Sequence, residues 1–197
     1  MVIDIPQRLK AAGVTLRPIR TADTEPYAQA FVDDPNLGRL LGMERDPTSE
    51  SLRERLANAH ERAAQGKGVE LAIERKGGFA GSVLAHSFDW THRRCEIGFW
   101  LVPGARHHGL GGAAVARLLD WVFAELPIDR VEMTTTSDNA ATRAFARRMG
   151  FLEEGVWRQR NVERGRRVDL AQFGLLREEW PPPPPSPLPS PRPPTPS

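Results

Sequence analysis

Cys95-Glu96-Ile97-Gly98-Phe99-Trp100-Leu101-Val102-Pro103-Gly104-Ala105-Arg106-His107-His108-Gly109-Leu110-Gly111-Gly112-Ala113-Ala114-Val115 is the most informative stretch of the 197-residue chain. Its first half alternates as a strand does over Arg94–Val102. Glu96, Gly98 and Trp100 then share one face, and Cys95, Ile97, Phe99 and Leu101 the other. A loop leads straight into a helix over Gly109–Glu125, where Leu110, Ala114, Leu118 and Val122 form one apolar stripe. Glycines at such a junction let a ligand approach the backbone. The first-turn amides lack intrahelical partners and sit at the positive end of the helix dipole, a combination suited to phosphate.

Two phosphate ligands fit that junction. Gly109-x-Gly111-x-x-Ala114 matches a dinucleotide fingerprint, with Glu132 near the distance of its ribose-binding acid. Against this, such glycines follow the first strand of their fold directly. Here Pro103 to His108 intervene, the loop lies past mid-chain, and Glu132 starts its strand rather than ending it.

Outward from this stretch, strands and helices alternate. Strands are expected at Val14–Arg20, Val69–Glu74, Phe79–Phe88, Arg130–Thr136, Phe151–Arg158 and Asp169–Leu176. Arg75-Lys76-Gly77-Gly78 signals a hairpin. Helices are expected from Thr21-Ala22-Asp23 to about Asp33, from the Asp46-Pro47 cap to Gly66 with Leu52, Leu56, Ala59 and Ala63 inward, and over Asn139–Met149. The order predicts an α/β (α+β) mixed sheet with helices on its faces.

Five stretches in this order resemble the GNAT N-acetyltransferases. Arg106-x-x-Gly109-x-Gly111 is similar to their pyrophosphate loop, and Glu96-Ile97-Gly98-Phe99-Trp100 to the strand before it. Asn139-Ala140-Ala141-Thr142 with Met149-Gly150-Phe151 resembles their Asn-x-x-Ser/Thr…Gly-Phe segment. Leu16-Arg17-Pro18 with Asp23, and Asp169 through Leu175-Leu176-Arg177-Glu178-Glu179-Trp180, resemble the RimJ/RimL-like branch, which acetylates ribosomal proteins. The resemblance spans roughly residues 14–180. It implies a single domain with a mostly antiparallel sheet splayed between its fourth and fifth strands.

The resemblance also implies acetyl-CoA as co-substrate and no metal. Leu101 and Val102 would meet the pantetheine arm. Amides of Arg106, His107, His108, Gly109, Leu110 and Gly111, with Gly112 beside them, would hold the pyrophosphate, and Asn139 would contact the cofactor. Acetyl transfer to an amine needs a base, an oxyanion donor and an acid. Glu96 stands where some members carry a catalytic glutamate, and Glu70 is a second candidate. The amide near Trp100 would serve the oxyanion. Where many members place an acidic tyrosine this chain has Ala146, which leaves Thr142 as the matching hydroxyl. Acceptor choice would lie in the first 65 residues and in Trp157–Arg167, whose Arg158, Arg160, Arg164, Arg166 and Arg167 would favour an acidic partner or a substrate carboxylate, or else form a solvated charged hairpin. Trp90, Trp100 and Trp157 would wall the acceptor slot. The acceptor is expected to be a protein N-terminus, ribosomal or otherwise, or a small amine. Family relatives often pair as homodimers, although no interface is legible in these residues.

Composition sets bounds. Net charge is +2, with 40% hydrophobic and 26% charged residues, an ordinary globular balance. The 27 basic residues are nearly all arginine, spread against 25 acids, so nucleic acid is not indicated. One cysteine excludes an intrachain disulfide and a multi-cysteine metal site. No signal peptide or membrane span is read, so a cytoplasmic setting is expected. Residues 1–13 read as an N-terminal extension, 14–180 as the acetyltransferase domain and 181–197, with 11 prolines, as a disordered tail. A non-catalytic acyl-CoA-binding module using that tail is the alternative, because the tyrosine is missing.

Overall fold

The alternating segments form one sheet in the computed structural model, which describes residues 1–181. Residues 182–197, nearly all of the expected tail, lie outside the described residues. The strands are β1 (Leu9–Ala11), β2 (Val14–Pro18), β3 (Gly68–Arg75), β4 (Gly78–Asp89), β5 (Arg94–Leu101), β6 (Arg130–Thr136), β7 (Leu152–Glu163) and β8 (Arg166–Leu176). The helices are α1 (Thr24–Asp33), α2 (Leu37–Leu40), α3 (Ser49–Ala57), α4 (Ala59–Ala64), α5 (Leu110–Glu125) and α6 (Ala140–Arg148). Spatial order is β1-β2-β3-β4-β5-β6-β8-β7, antiparallel throughout except for β5 beside β6. No described helix is long and apolar enough to cross a membrane.

That parallel pair decides the architecture. β5 and β6 pair only at Arg94↔Arg130, Cys95↔Val131 and Glu96↔Glu132. Beyond Glu96 they part: β5 stays paired with β4 up to Leu101, and β6 stays paired with β8 up to Thr136. The closed end of this V is fastened by charges. Glu132 accepts from Arg94 at 3.0 Å and Arg130 at 2.8 Å, and Arg130 also binds Glu154 at 2.7 Å.

Each face of the sheet carries its own core. On one, α5 buries Ala114, Val115, Leu118, Leu119 and Val122 against Cys95, Ile97, Val131 and Phe173, and α6 adds Ala146. Emptying one such site, as in Leu118→Ala, costs about 2–5 kcal/mol. On the other, α1 and α3 pack Tyr27, Phe31, Leu52 and Leu56 around Trp100. Tyr27 meets the Trp100 ring edge-on at 4.6 Å between centroids. The alternation read for β5 therefore sorts its residues onto two cores.

Two terminal motifs are fasteners. Arg17 donates to both Asp23 oxygens at 2.8 and 2.7 Å and to Glu74 at 3.0 Å, pinning the start of α1 to the sheet. Arg177 donates to the carbonyls of Phe123, Leu126 and Ile128, which satisfies the orphan acceptors where α5 ends. The Trp180 indole reaches Asp120 at 2.9 Å.

Local departures have local causes. β1 and α2 are three and four residues long and carry no periodic signal. The cap of α3 is Thr48, whose hydroxyl accepts from the Ser51 amide at 3.1 Å, rather than Asp46-Pro47. Asn58 divides the expected 46–66 helix into α3 and α4, yet Leu52, Leu56, Ala59 and Ala63 all face inward as read. β7 runs five residues past Arg158, with an irregular register between Trp157 and Asn161.

Candidate active site

Past Glu96 the β6-side edge of β5 is unpaired. Its alternation fixes which groups line the gap. The Val102 amide bonds Ala80 on the β4 side at 3.0 Å, so the Trp100 amide, two residues back, also faces β4. The amides and carbonyls of Ile97, Phe99 and Leu101 point into the gap. Near Trp100 the open amides are those of Phe99 and Leu101, since Trp100's own N–H is committed to the sheet. Trp100 contributes its ring.

The loop that follows is held open. Its Pro103–Ala105 turn leads to His107 at φ +65° and Gly109 at φ +73°. Left-handed backbone at the head of α5 turns successive amides the same way, the geometry of an anion nest. Among the described residues, none of the amides from His107 to Gly112 bonds to protein; the first helical bond runs from Ala113 to Gly109 at 3.1 Å. Gly111 lets α5 approach β5 closely, since a Cβ there would lie 3.0 Å from the Phe99 ring. His107 and His108 are solvent-exposed.

Arg106 departs from its expected role. Its amide bonds Pro103 at 3.2 Å. Its guanidinium donates to the Leu101 carbonyl at 3.0 Å and pairs with Asp34 at 2.6 Å. Both its amide and its charge are consumed inside the protein. Arg106 braces the loop against the end of α1 rather than offering itself to an anion.

A cleft of about 560 Å³ runs along this surface, walled by Phe99, Leu101, Gly111, Asn139, Thr142 and Phe145. Asn139 lines it while its Oδ1 caps α6, accepting from the Thr142 amide at 3.1 Å. The Thr142 hydroxyl forms no hydrogen bond among the described residues. Leu40, Leu41 and Arg148 also line the cleft, and Arg148 forms no ion pair among the described residues. Sequence reading missed all three, because only folding brings α2 and the end of α6 beside the loop.

A second cavity of about 370 Å³ lies beyond Trp100 and shares Phe99, Trp100 and Thr142 with the first. Glu96 lines it, half-buried, and accepts from the Thr134 hydroxyl. His86 stands opposite Glu96 on β4, and burial holds its imidazole below the usual value. Glu70 is 4% exposed and already accepts from Ser82 at 2.8 Å, Arg55 at 2.9 Å and Tyr27 at 3.4 Å. Its oxygens are taken up by these three donors, and it lines neither cavity. Burial pushes the Tyr27 hydroxyl up from its ordinary value, and Tyr27 lines only the second cavity. Burial likewise pushes the Cys95 thiol up to about 12, so it stays protonated.

Two expected wall residues lie elsewhere. Trp90 stacks on Phe88 at 4.7 Å and donates to the Gly66 carbonyl. Trp157 is 45% exposed with Arg160 over its ring. The hairpin arginines 158, 160, 164, 166 and 167 are all exposed and none lines the cavity. No cluster of three or more His, Cys, Asp or Glu suited to a metal occurs among the described residues.

In sequence and in fold the chain is similar to known proteins. The chain is 31% identical over 170 residues to YdaF of Bacillus subtilis (strain 168), provisionally named a ribosomal N-acetyltransferase, covering 85% of this chain and 93% of that one. Its fold matches Mycobacterium smegmatis RimJ in complex with CoA-disulfide with TM-score 0.80 at 24% identity, over 90% of each chain. It also matches, with TM-score 0.78 at 20% identity over 87% of this chain and 98% of the other, a Salmonella typhimurium acetyltransferase described as modifying the N-terminal serine of ribosomal protein L7/L12. The model of the acetyltransferase (GNAT) domain matches residues 14–152, and the chain belongs to the GNAT acetyltransferase family.

Proposed function

We propose that this enzyme moves an acetyl group from acetyl-CoA to a primary amine, by direct attack of the amine on the thioester. The observation that carries the reading is the run of unpartnered amides from His107 to Gly112 above the cleft. These amides hold the pyrophosphate, with Arg148 near enough to add charge. The open edge of β5 at Phe99 and Leu101 holds the pantetheine arm as an added strand would. A dinucleotide reading is not favoured, since the sheet is antiparallel on both sides of the splayed pair.

The chain's own groups then divide the chemistry. An α-ammonium has pKa near ~8, so most acceptor arrives protonated at neutral pH. Glu96 accepts the proton that the amine gives up, directly or through water. The open amide of Phe99 or Leu101 stabilises the negative oxygen that develops on the acyl group. Thr142, at the junction of the two cavities, donates to the departing sulfur. Buried Cys95 takes no part.

Among acceptors we favour the α-amino group of a protein N-terminus. The provisional name of YdaF and the description of the Salmonella protein as modifying an N-terminal serine of a ribosomal protein support this reading. A cytoplasmic enzyme would meet such acceptors. Calorimetry with acetyl-CoA and with NADH tests the first step, and NADH binding without CoA binding would sink it. A thiol-release assay over N-terminal peptides and small amines, with mass detection of the product, tests the second. CoA binding with no product from any acceptor would instead make the chain an acyl-CoA-binding module.

A further inference from the structure

The outer hairpin shows one inward-facing residue. Of the twelve residues of β7, only Glu163 is buried, at 6% exposure. The hairpin tip is docked onto the loop after α2: the Arg164 amide donates to Glu44 at 2.7 Å and its guanidinium to Asp46 at 2.8 Å. That docking turns the Glu163 carboxylate to within 3.3 Å of where a Cβ on Gly42 would lie, in the wall of the second cavity. It has no hydrogen bond and no ion pair among the described residues. Glu163 itself lines that cavity.

An ion held this way is costly unless something arrives to pair with it. The other charges of the cavity do not supply a partner. Arg55 is committed to Glu70, and burial disfavours a charge on His86; Arg39, outside the cavity lining, favours the ionised Glu163 from a distance but makes no ion pair with it and instead pairs with Asp138 at 3.7 Å. The two uncommitted charges are Glu96 and Glu163, both negative. They enter from different ends. Glu96 is tied to Thr134, which is level with Gln172 on β8, whereas the Glu163 backbone is in register with Arg166, six residues along the same strand. Glu96 serves the reacting nitrogen near Phe99 and Trp100, and Glu163 faces another part of the acceptor.

We infer that Glu163 is a specificity-determining residue that binds a second cationic group of the acceptor, so that the preferred substrates are primary amines carrying a further positive charge. The inference rests on the acetyl-transfer reading and narrows its acceptor class. It reverses the expectation from the hairpin arginines, which face solvent. Burial also raises the Glu163 carboxyl above its usual value, as expected of a carboxylate awaiting a partner.

The test uses the full chain with acetyl-CoA and three acceptors of matched length: 1,5-diaminopentane, pentylamine and 5-aminopentanoate. Peptides beginning Ala-Lys and Ala-Glu extend it to N-termini. The wild type should favour the dicationic member of each set by about tenfold in kcat/KM, and Glu163→Gln should bring the ratio to within about twofold, chiefly through KM. Melting temperature and CoA affinity of the variant report on its fold. Calorimetric titration of diaminopentane and the Ala-Lys peptide into the CoA-saturated chain gives a readout without turnover, and both should bind about tenfold more weakly to the variant. Equal selectivity and equal affinity in the two proteins would overturn the inference. Glu163-dependent binding without any acetylated product would uphold it and refute the transfer reading.

Discussion

The cleft under α5 presents peptide amides from His107 to Gly112 and the rings of Phe99 and Phe145, whereas the cavity beyond Trp100 presents Glu96, Glu163, His86 and threonines. Backbone donors cannot be altered by ordinary substitution, and they suit a ligand that never changes. Side-chain charges can be exchanged by single substitutions. The contrast supports the proposed division, with acetyl-CoA in the first cavity and the amine in the second.

Substitutions on the two sides should therefore fail in different ways. The largest effect belongs to Glu96→Gln, which should lower kcat by about 10²–10⁴-fold. CoA affinity by calorimetry should stay within a factor of about two, since Glu96 does not line the cleft. Unchanged turnover would remove Glu96 from the mechanism. Gly109→Val should do the reverse. A β-branched residue at φ +73° is strained by about 1–2 kcal/mol, and CoA binding should weaken about tenfold through the displaced amides.

Arg106→Ala and Asp34→Ala each should cost about 1–3 kcal/mol in chemical denaturation. Their effects should not add in the double variant, as expected of one shared ion pair. The salt dependence of CoA binding should not change, because this arginine does not hold phosphate. Smaller still is the stability effect of Glu163→Gln. The native carboxyl keeps its proton to higher pH than the unfolded one, so its ionisation opposes folding. The variant should melt above wild type at neutral pH by about 1 kcal/mol of stability or less. That gap should close as pH falls through the carboxylate range and vanish below the unfolded pKa. Trp157→Ala should leave turnover within about twofold, since its ring lies outside both cavities.

How much the residues foretold follows the same divide. The faces of β5, the head of α5 and the Asn139 cap are local grammar: a strand's alternation, glycine where φ is positive, a side-chain oxygen three residues before an amide. Each was readable without knowing the fold. Arg106 looked like a phosphate ligand because its partner Asp34 is 72 positions away. Glu163 was hidden among arginines because its burial depends on contacts 118 and 120 positions distant. Trp90 and Trp157 misled because aromatic identity says that a ring seeks cover without saying where. β1 and α2 are too short to show a period.

The three-residue contact between β5 and β6 sets an arrangement for traffic. Under the proposed acetyl transfer, the cofactor would lie in the cleft and the acceptor in the second cavity, which adjoin at Phe99, Trp100 and Thr142. Both must be aboard together, which calls for intersecting rather than parallel double-reciprocal plots. Free CoA should compete with acetyl-CoA while inhibiting noncompetitively against the amine.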